Sequence, residues 1–285
     1  MKNSYHKTTT IVIIAYKSRE KIIKFIKKIP RNIKAIIIDN SNDIKLKKLL
    51  VKRKNIKIYL KENNGVSSSI NFASKKVKTK YFLQISPDIE INFDDIQIFC
   101  NAAKKMKKEF IALGPYFTNV NKKSHKQSNP NISVAIINSI HGSVMFIENK
   151  TFKKLKGFDK NFFLYFEETD YCKRGVHSGL NCYQINKIKV KNKGRSVSIK
   201  NNKEKKEMKN LLAWHFIWSK FYYTKKHYGY IFSIIYFMPI VLRNILKLGI
   251  HYLFGNQGEY QKYKFRFLGI TSAILGQKSS LRPKI

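Results

Sequence analysis

Cysteine is scarce in this chain, and the arrangement of the few cysteines excludes two ways of stabilising a fold. The 285 residues include Cys100, Cys172 and Cys182, and no two of them have Cys-x-x-Cys spacing. Three scattered cysteines argue against a disulfide framework and against a structural zinc site. The N-terminal MKNSYHKTTT leads into an apolar run that is too short and too early for a signal peptide. We therefore expect a cytoplasmic protein with reduced thiols.

Acidic residues are the second scarcity. Lysine and arginine number 57 against 17 aspartates and glutamates, which gives a net charge of +40 at pH 7. Such a field concentrates polyanions, whether nucleic acid, anionic lipid headgroups or phosphorylated small molecules. Only eight of the 57 are arginine, the side chain favoured for bidentate contacts with phosphates and base edges. We expect most lysines on solvated faces, with a basic membrane-facing patch as an added hypothesis.

The first half of the chain alternates strand patterns with helix patterns. Four apolar runs, most of them rich in isoleucine, predict buried parallel strands. These runs are Thr10–Ala15, Ala35–Ile38, Ile56–Leu60 and Tyr81–Ile85. Helical periodicity between them predicts a doubly wound, mostly parallel, Rossmann-like α/β sheet with right-handed crossovers. We predict that residues 1–205 form this domain and that residues 206–285 form an aromatic and basic helical extension.

Polar clusters follow three of the predicted strands. In a sheet of this kind, ligands bind beyond the carboxyl ends of the strands. The clusters are Ala15-Tyr16-Lys17-Ser18, Asp39-Asn-Ser-Asn-Asp43 and Ser86-Pro87-Asp88. Each cluster alone would be interpreted as a turn. Three clusters on one rim, two of them with a well-placed carboxylate, favour a ligand site.

Taken in order, these segments resemble family 2 glycosyltransferases, nucleotide-sugar-dependent inverting enzymes with a GT-A fold, and in particular their rhamnosyltransferase-like branch. The resemblance runs from about Thr8 to Ser198. Beyond the three rim clusters, it rests on Asn63-Asn64-Gly65 with Asn71, and on Gly157-Phe-Asp-Lys-Asn-Phe-Phe-Leu-Tyr-Phe-Glu-Glu-Thr-Asp-Tyr171. It implies transfer of rhamnose or another hexose to a lipid-linked or polysaccharide acceptor in cell-surface glycan biosynthesis.

The resemblance also implies a donor site. Asp39 corresponds to the family carboxylate that accepts a hydrogen bond from the pyrimidine N–H, and Ala15 and Tyr16 would line the same base pocket. The further donor-binding residues that it implies are Asn64, Gly65, Ser86 and Pro87. A departing nucleoside diphosphate carries negative charge that a hard cation neutralises. Asp88 is therefore expected to bind Mg²⁺ or Mn²⁺, with Glu90 as a candidate second ligand.

The catalytic base is expected in the long aromatic and acidic segment. Direct displacement at the anomeric carbon needs a base for the acceptor hydroxyl. Glu168 corresponds to the family's catalytic aspartate, one methylene longer here, and Glu167 is the neighbouring candidate. Asp170 and Arg174 lie four residues apart on one predicted helix, so we expect an ion pair that positions this helix.

The chain departs from the family pattern at one further ligand position. The family often carries a histidine before a Gly-x-Ser near the end of the domain, and this chain has Lys191-Asn-Lys-Gly-Arg-Ser196. Either metal binding is weaker, or Lys191, Lys193 or Arg195 neutralises the diphosphate directly. The missing histidine, and Ser86 where the family has asparagine, leave a catalytically inactive relative open as an alternative.

Two other functional classes remain as alternatives. The charge fits a nucleic-acid-binding protein, but no helix-turn-helix, zinc-finger or RNP-like pattern accompanies it. A nucleotidyltransferase would need a glycine-rich phosphate loop after the first strand, and residues 15–20 contain no glycine. Nucleic acid is therefore the less favoured partner.

The C-terminal part differs in character from the rest. The run Tyr228–Leu242 contains no charged residue over fifteen positions, short of the ~20 apolar residues of a spanning helix. Aromatic residues and lysines flank it, a pattern typical of an interfacial helix or hairpin on an anionic membrane surface. A core helix is the alternative. We expect a peripheral protein on the inner face of the cell membrane.

Overall fold

The protein contains two compact units. The computed structural model describes residues 5–106, 108–120, 126–194, 197 and 201–283. The first unit joins the described residues up to Asp159 with those from Glu168 to Val197, and the second joins Lys160–Glu167 with the chain from Asn201 onward. The second unit thus includes a short segment that the sequence-based division at residue 205 leaves in the first.

A mixed sheet forms the centre of the first unit. Among the described residues its strands are β1 (Thr9–Ala15), β2 (Lys34–Asp39), β3 (Ile56–Leu60), β4 (Tyr81–Ile85), β5 (Ile89–Glu90), β6 (Ala112–Phe117), β7 (Val134–Ile137), β8 (Val144–Glu148) and β9 (Cys182–Asn192). Their order is β3-β2-β1-β4-β8-β6-β9-β5, with β7 beside β9. β1 to β4 are parallel, whereas β8 runs antiparallel to both β4 and β6. The predicted α/β sheet is confirmed.

Helices connect these strands and cover the sheet. They are α1 (Tyr5–Thr8), α2 (Arg19–Lys28), α3 (Ile44–Leu50), α4 (Gly65–Lys76), α5 (Asp95–Lys105), α6 (Asn149–Lys154) and α7 (Glu167–His177). Successive side chains of a strand point to opposite faces of the sheet. Ile11 of β1 accordingly packs in one core with Phe25 of α2, and Val12 packs in the other with Ile70 of α4. The continuous apolar runs of the sequence are needed because both faces of the sheet are buried.

Besides β1 to β4, the sequence pattern predicts strands near Ile111–Gly114, Ser143–Ile147 and Cys182–Val190, which correspond to β6, β8 and β9. It misses β5 and β7. β5 has two residues and pairs with the end of β9. β7 pairs antiparallel with β9, and it leaves Val134 and Ile136 exposed. Neither a two-residue strand nor an edge strand with exposed apolar side chains has the alternation that identifies a strand.

The second unit is helical. Its helices are α8 (Asn202–Tyr228), α9 (Tyr230–Leu253) and α10 (Gln257–Ile274). They enclose a core in which Trp214 and Phe221 of α8 meet Phe237 of α9 and Ile270 of α10. At Gly269 an added Cβ would lie 2.6 Å from the Trp214 carbonyl oxygen, so only glycine allows α10 to approach α8 this closely.

One face of α9 is apolar and exposed. Its exposed apolar side chains recur at helical spacing and are Ile231, Ile235, Met238, Leu242, Ile245 and Leu246. By length and composition α9 is the one helix among the described residues that could cross a membrane, and most of it is not buried. The expectation of a run too short to span used Tyr228–Leu242 alone, but the helix continues through Arg243 and Lys247 to Leu253.

The three cysteines are all free and buried. Cys100 lies on α5, Cys172 on α7 and Cys182 at the start of β9. Burial raises the pKa of the Cys100 thiol, and a hydrogen bond with Cys172 together with burial raises the pKa of the Cys182 thiol.

A reciprocal pair of hydrogen bonds holds the turn after α6. Asn71 of α4 donates from Nδ2 to the Phe158 carbonyl oxygen (2.7 Å), and its Oδ1 accepts from the Phe158 amide (2.9 Å). Gly157 precedes Phe158 with a φ of 63°, and a Cβ there would lie 2.5 Å from Asn71 Oδ1. The asparagine on this helix thus positions the turn, and the glycine leaves room for its amide.

We expect Gly157→Ala to lower the free energy of unfolding by about 2–4 kcal/mol. About 1 kcal/mol comes from the left-handed backbone, and the remainder from the displaced Asn71 hydrogen bonds. Gly179→Ala is the matched control, since Gly179 has a φ of 76° and no atom within 4 Å of an added Cβ. Urea unfolding of both variants measures the difference. Equal losses would show that the Asn71 contact contributes nothing.

Candidate active site

The carboxyl ends of β1, β2 and β4 lie side by side at one rim of the sheet. β1 is the central strand of the three, and Ala15 at its end pairs with Asp39 at the end of β2. The turn Ser86–Asp88 follows β4 at the same rim. The predicted clusters are therefore neighbours, as the parallel order requires.

Asp39 holds the loops that follow β1 and β2. Its buried carboxylate accepts from Ser41 Oγ at Oδ1 and from the Asp43 amide at Oδ2, both at 2.7 Å. Ser41 Oγ in turn accepts from the Lys17 amide at 3.1 Å. A carboxylate has about four acceptor positions, so Asp39 keeps capacity for one more donor. Tyr16 is half-buried beside these loops.

The N-terminus of α4 opens at the same rim, after β3. Gly65 begins the helix with a φ of 87°, and exposed Asn64 is its N-cap residue without a side-chain cap. Ser69 on the first turns donates to Asn40 Oδ1 at 3.0 Å, which ties α4 to the loop after β2. The first amides of a helix have no intrahelical acceptors, and the helix dipole favours anions there. This end of α4 is suited to a phosphate group.

Asp88 keeps one carboxylate oxygen buried and unpaired. Oδ1 has no hydrogen-bond partner in the described part of the chain. Burial raises the pKa of the Asp88 carboxyl, and the nearby Lys21 ammonium acts in the opposite direction. Pro87 fixes the backbone before it, and the Asp88 carbonyl oxygen accepts from the Lys193 amide at 2.8 Å. An orphaned buried oxygen on a fixed turn fits a ligand for a hard cation.

The other proposed metal-site groups are arranged differently. Glu90, the candidate second ligand, lies in an exposed ion pair with Lys193 (Oε1 to Nζ, 2.9 Å), which lowers its pKa. Lys191 lies on β9 opposite Glu90. Arg195 lies outside the described residues. Within the residues that the structure describes, no three histidine, cysteine or acidic side chains gather as a metal cluster.

Glu168 lies on the first turn of α7, beside a glycine. Its Oε2 is buried and has no hydrogen-bond partner among the described residues, and burial raises the pKa of this carboxyl. A Cβ at Gly142 would lie 3.3 Å from both Glu168 Cγ and Cδ, so the glycine gives this side chain its room. The Gly142 carbonyl oxygen accepts from Gln84 Nε2 of β4, and that of Ser143 accepts from the Ser86 amide at 2.9 Å.

Residues 142 and 143 therefore connect Glu168 with the rim turn that carries Asp88. The sequence reasoning missed Gly142 and Gln84. The only available indication was a glycine directly before the strand predicted at Ser143–Ile147, and nothing in the pattern showed that it faces Glu168.

Arg174 fixes the orientation of α7. Its Nε lies 2.8 Å from Oδ2 of fully buried Asp170, which is the i,i+4 ion pair expected from the spacing. The same guanidinium donates to the carbonyl oxygens of Leu155 and Gly157. Glu167 is the first residue of α7 and is buried; it belongs to the helical unit.

Two solved glycosyltransferase structures share the fold at low sequence identity. Mannosyltransferase PcManGT from Pyrobaculum calidifontis, in complex with GDP-Man and Mn²⁺, aligns with a TM-score of 0.57 at 12% identity over 95% of this chain and 88% of that chain. S. aureus TarS in complex with UDP-GlcNAc aligns with a TM-score of 0.52 at 12% identity over 95% and 92% of the two chains. They confirm the predicted GT-A-type α/β fold.

Sequence comparison agrees with the fold. A low-salt glycan biosynthesis hexosyltransferase of Haloferax volcanii is 23% identical over 197 residues, covering 61% of this chain and 64% of that protein. This chain thus spans less than two thirds of the length of that relative. The family model of glycosyl transferase family 2 matches residues 10–175, more than half of the chain. With strands, helix N-terminus and acidic helix in the family's order, this chain belongs to glycosyltransferase family 2.

Proposed function

We propose that this protein transfers a hexose, rhamnose or another, from a nucleoside diphosphate sugar to a lipid-linked or glycan acceptor at a membrane surface, with inversion at the anomeric carbon. The observation that carries the proposal is the pair of buried, unpaired carboxylate oxygens of Asp88 and Glu168 at one sheet rim. The Haloferax relative is a glycan biosynthesis hexosyltransferase, and the solved neighbours bind GDP-Man and UDP-GlcNAc.

The donor would lie along the rim from β2 to β4. Asp39 has acceptor capacity left for a base N–H, and Ala15 and half-buried Tyr16 border the same loops. The diphosphate would meet the N-terminus of α4 at Asn64 and Gly65, where the helix dipole favours an anion. The amides of these two residues donate within the turn, to the Glu62 carbonyl oxygen (2.9 Å) and to Asn63 Oδ1 (3.3 Å). Ser86 and Pro87 complete the turn that presents Asp88.

Asp88 is the residue that would hold the divalent cation, Mg²⁺ or Mn²⁺. When bound, the cation would neutralise the diphosphate as the leaving group departs. Manganese in the complex of the Pyrobaculum mannosyltransferase supports the choice of ion. Lys193 pairs with Glu90, so neutralisation by that lysine would require the ion pair to open.

Glu168 would act as the base. A raised pKa brings a carboxyl closer to neutral pH and makes it a better proton acceptor, provided it is ionised. The acceptor hydroxyl would give its proton to Glu168 Oε2 while its oxygen attacks the anomeric carbon. The bond to the leaving phosphate breaks on the opposite side, so the anomeric configuration inverts.

The helical unit would hold the enzyme at an anionic membrane surface. Lys220 Nζ of α8 lies over the rings of Tyr236 and Phe237 (5.3 and 5.6 Å), beside the middle of α9. A spanning α9 would carry this ammonium to the bilayer centre, where a charge costs several kcal/mol. An interfacial position avoids that cost, because the apolar face of α9 enters the headgroup region while the lysines stay at the anionic surface.

Activity against a panel of nucleotide sugars, with and without Mg²⁺ or Mn²⁺, tests the proposed function. We expect one donor to be used and only with the cation. Asp88→Asn should lower turnover on the order of 100-fold or more and remove the effect of Mn²⁺ on donor binding, since the charged ligand is lost. Glu90→Gln is the control and should remain active. Loss of cation dependence in Glu90→Gln with a normal Asp88→Asn would move the metal site to Glu90.

Glu168→Gln should lower turnover by at least about 100-fold while donor affinity stays unchanged, because a base acts on the acceptor. The same variant should be more stable than the wild type at pH 7, because burial raises the pKa of the Glu168 carboxyl. A carboxyl with a raised pKa in the folded state destabilises the fold as pH rises. The difference should be lost by about pH 3, where the carboxyl is protonated in the folded and the unfolded chain alike. Kinetics and urea unfolding at both pH values measure these effects.

Glu167→Gln is the control for the base. If Glu167→Gln is inactive and Glu168→Gln has wild-type turnover, the base is Glu167 and not Glu168.

The wild-type chain should co-sediment with vesicles of anionic lipid and be partly released at high salt, which screens lysine contacts with headgroups. Replacing Ile235 and Leu246 on α9 by serine should weaken vesicle binding at least about tenfold through lost apolar contact. The matched control replaces Ile44 and Leu49 of α3, which are also exposed, by serine. Equal binding by both double variants would place the membrane contact elsewhere.

A further inference from the structure

The segment Lys160–Glu167 contains two strained residues in succession. Tyr165 and Phe166 have φ values of 68° and 67°. In this left-handed region a residue with a side chain costs roughly 1–2 kcal/mol. Such conformations persist only where surrounding contacts impose them, and they concentrate at functional sites. In this segment those contacts come from α8 and from the residues that follow α10.

An aromatic ring of the segment contacts both α8 and the residues that follow α10. The Phe163 ring is stacked on His215 of α8 at a centroid distance of 4.6 Å, and the Arg282 guanidinium lies 4.2 Å from the centroid. The next rings along the chain also meet α8, because Tyr165 and Phe166 both contact Phe216. The strained pair is therefore fixed by aromatic contacts.

Two hydrogen bonds hold the segment to the same face of α8. Ser219 Oγ, fully buried, donates to the Leu164 carbonyl oxygen at 2.8 Å. Asn161 Nδ2 donates to Tyr222 Oη at 2.9 Å. With His215, these two α8 residues follow the i, i+4, i+7 spacing of one helix face. One face of α8 thus holds the segment from Asn161 to Phe166.

His215 is itself fixed as a neutral ring. It is fully buried, and burial lowers its pKa to about 4. Nε2 lies 2.9 Å from the Leu281 carbonyl oxygen and so carries the proton, while Nδ1 accepts from Ser279 Oγ at 3.1 Å. These bonds bring residues 279–281 to the His215 ring, and Arg282, which follows them, lies over the Phe163 ring.

The held segment leads directly into the residue proposed as the base. Phe166 precedes Glu167, the first residue of α7, and Glu168 follows. The Glu168 side chain lies close against Gly142, because a Cβ added at Gly142 would be only 3.3 Å from Glu168 Cδ. This contact restricts the movement of the Glu168 carboxylate. The backbone at Tyr165 and Phe166 thus connects the held segment directly to the first turn of α7, which carries Glu168.

We propose that α8 is a positioning element for sugar transfer, with His215, Ser219 and Tyr222 as positioning residues that hold the Lys160–Glu167 segment and thereby orient Glu168. The inference rests on the proposed function, in which Glu168 is the base. It gives the helical unit a part in the chemical step in addition to membrane contact. Loss of these contacts should lower kcat and leave the donor site intact, because Asp39, Asp88 and α4 are not involved.

The test compares Ser219→Ala and Tyr222→Phe with Thr224→Val. Thr224 is the matched control, a buried hydroxyl on α8 whose hydrogen bond goes to Lys220 within the helix. In the two test variants we expect kcat to fall roughly tenfold or more, since a displacement of about 1 Å in a site can cost 100-fold. KM for the donor should stay within about twofold by the same reasoning. Hydrogen exchange of the amides of residues 163–168 should be faster.

The possible results distinguish failure of the inference about α8 from failure of the proposed function. Wild-type kcat and unchanged exchange in both test variants would overturn the inference alone. So would a lower Tm with full kcat below it, or an equal loss of kcat in Thr224→Val, because each indicates only a general contribution of α8 to stability. A wild-type chain inactive with every donor of the panel would defeat the proposed function, and this inference with it.

Discussion

Asp88 and Glu168 each keep a carboxylate oxygen buried and outside hydrogen bonding in the described part of the chain. Removing such a group from water without a partner costs several kcal/mol, so it raises the pKa instead. The fold tolerates this cost because many independent contacts fix the backbone that carries the two carboxylates. A sheet with a core on each face fixes the turn at Pro87, and the Arg174 ion pair and its two carbonyl contacts fix α7. The remainder of the first unit can be understood as the support for these two oxygens.

The sequence predicts well those features that depend on local pattern. β1 to β4 and their helices were found because buried parallel strands are continuous apolar runs, and the rim carboxylates follow from strand order. The Asp170–Arg174 pair was found because four-residue spacing is a property of one helix. Prediction failed where a long-range contact decides. The room at Gly142 for Glu168 and the attachment of Lys160–Glu167 to α8 depend on residues more than twenty positions apart.

Residues with a positive φ also show that local sequence pattern cannot predict a conformation imposed by long-range contacts. Gly65 and Gly157 adopt positive φ, which glycine adopts at little cost. Tyr165 and Phe166 also adopt it, and nothing in an aromatic sequence predicts that conformation. Contacts of the segment with α8, among them those with Phe216, Ser219 and Tyr223, explain it, and those residues lie some fifty positions later. Local sequence pattern therefore could not predict the conformation of the segment Lys160–Glu167, which leads into α7.

The burial of all three cysteines has a practical consequence. A thiol reacts as the thiolate, and burial blocks reagent access to all three cysteines. The pKa of the Cys100 and Cys182 thiols is also raised. The three native thiols of the folded protein should therefore react only slowly with maleimide reagents under native conditions. A single cysteine introduced at an exposed position of α9 could then carry an environment-sensitive fluorophore, with the native thiols left in place. The depth of each turn of that helix in a lipid bilayer could be mapped one position at a time, in the otherwise unaltered protein.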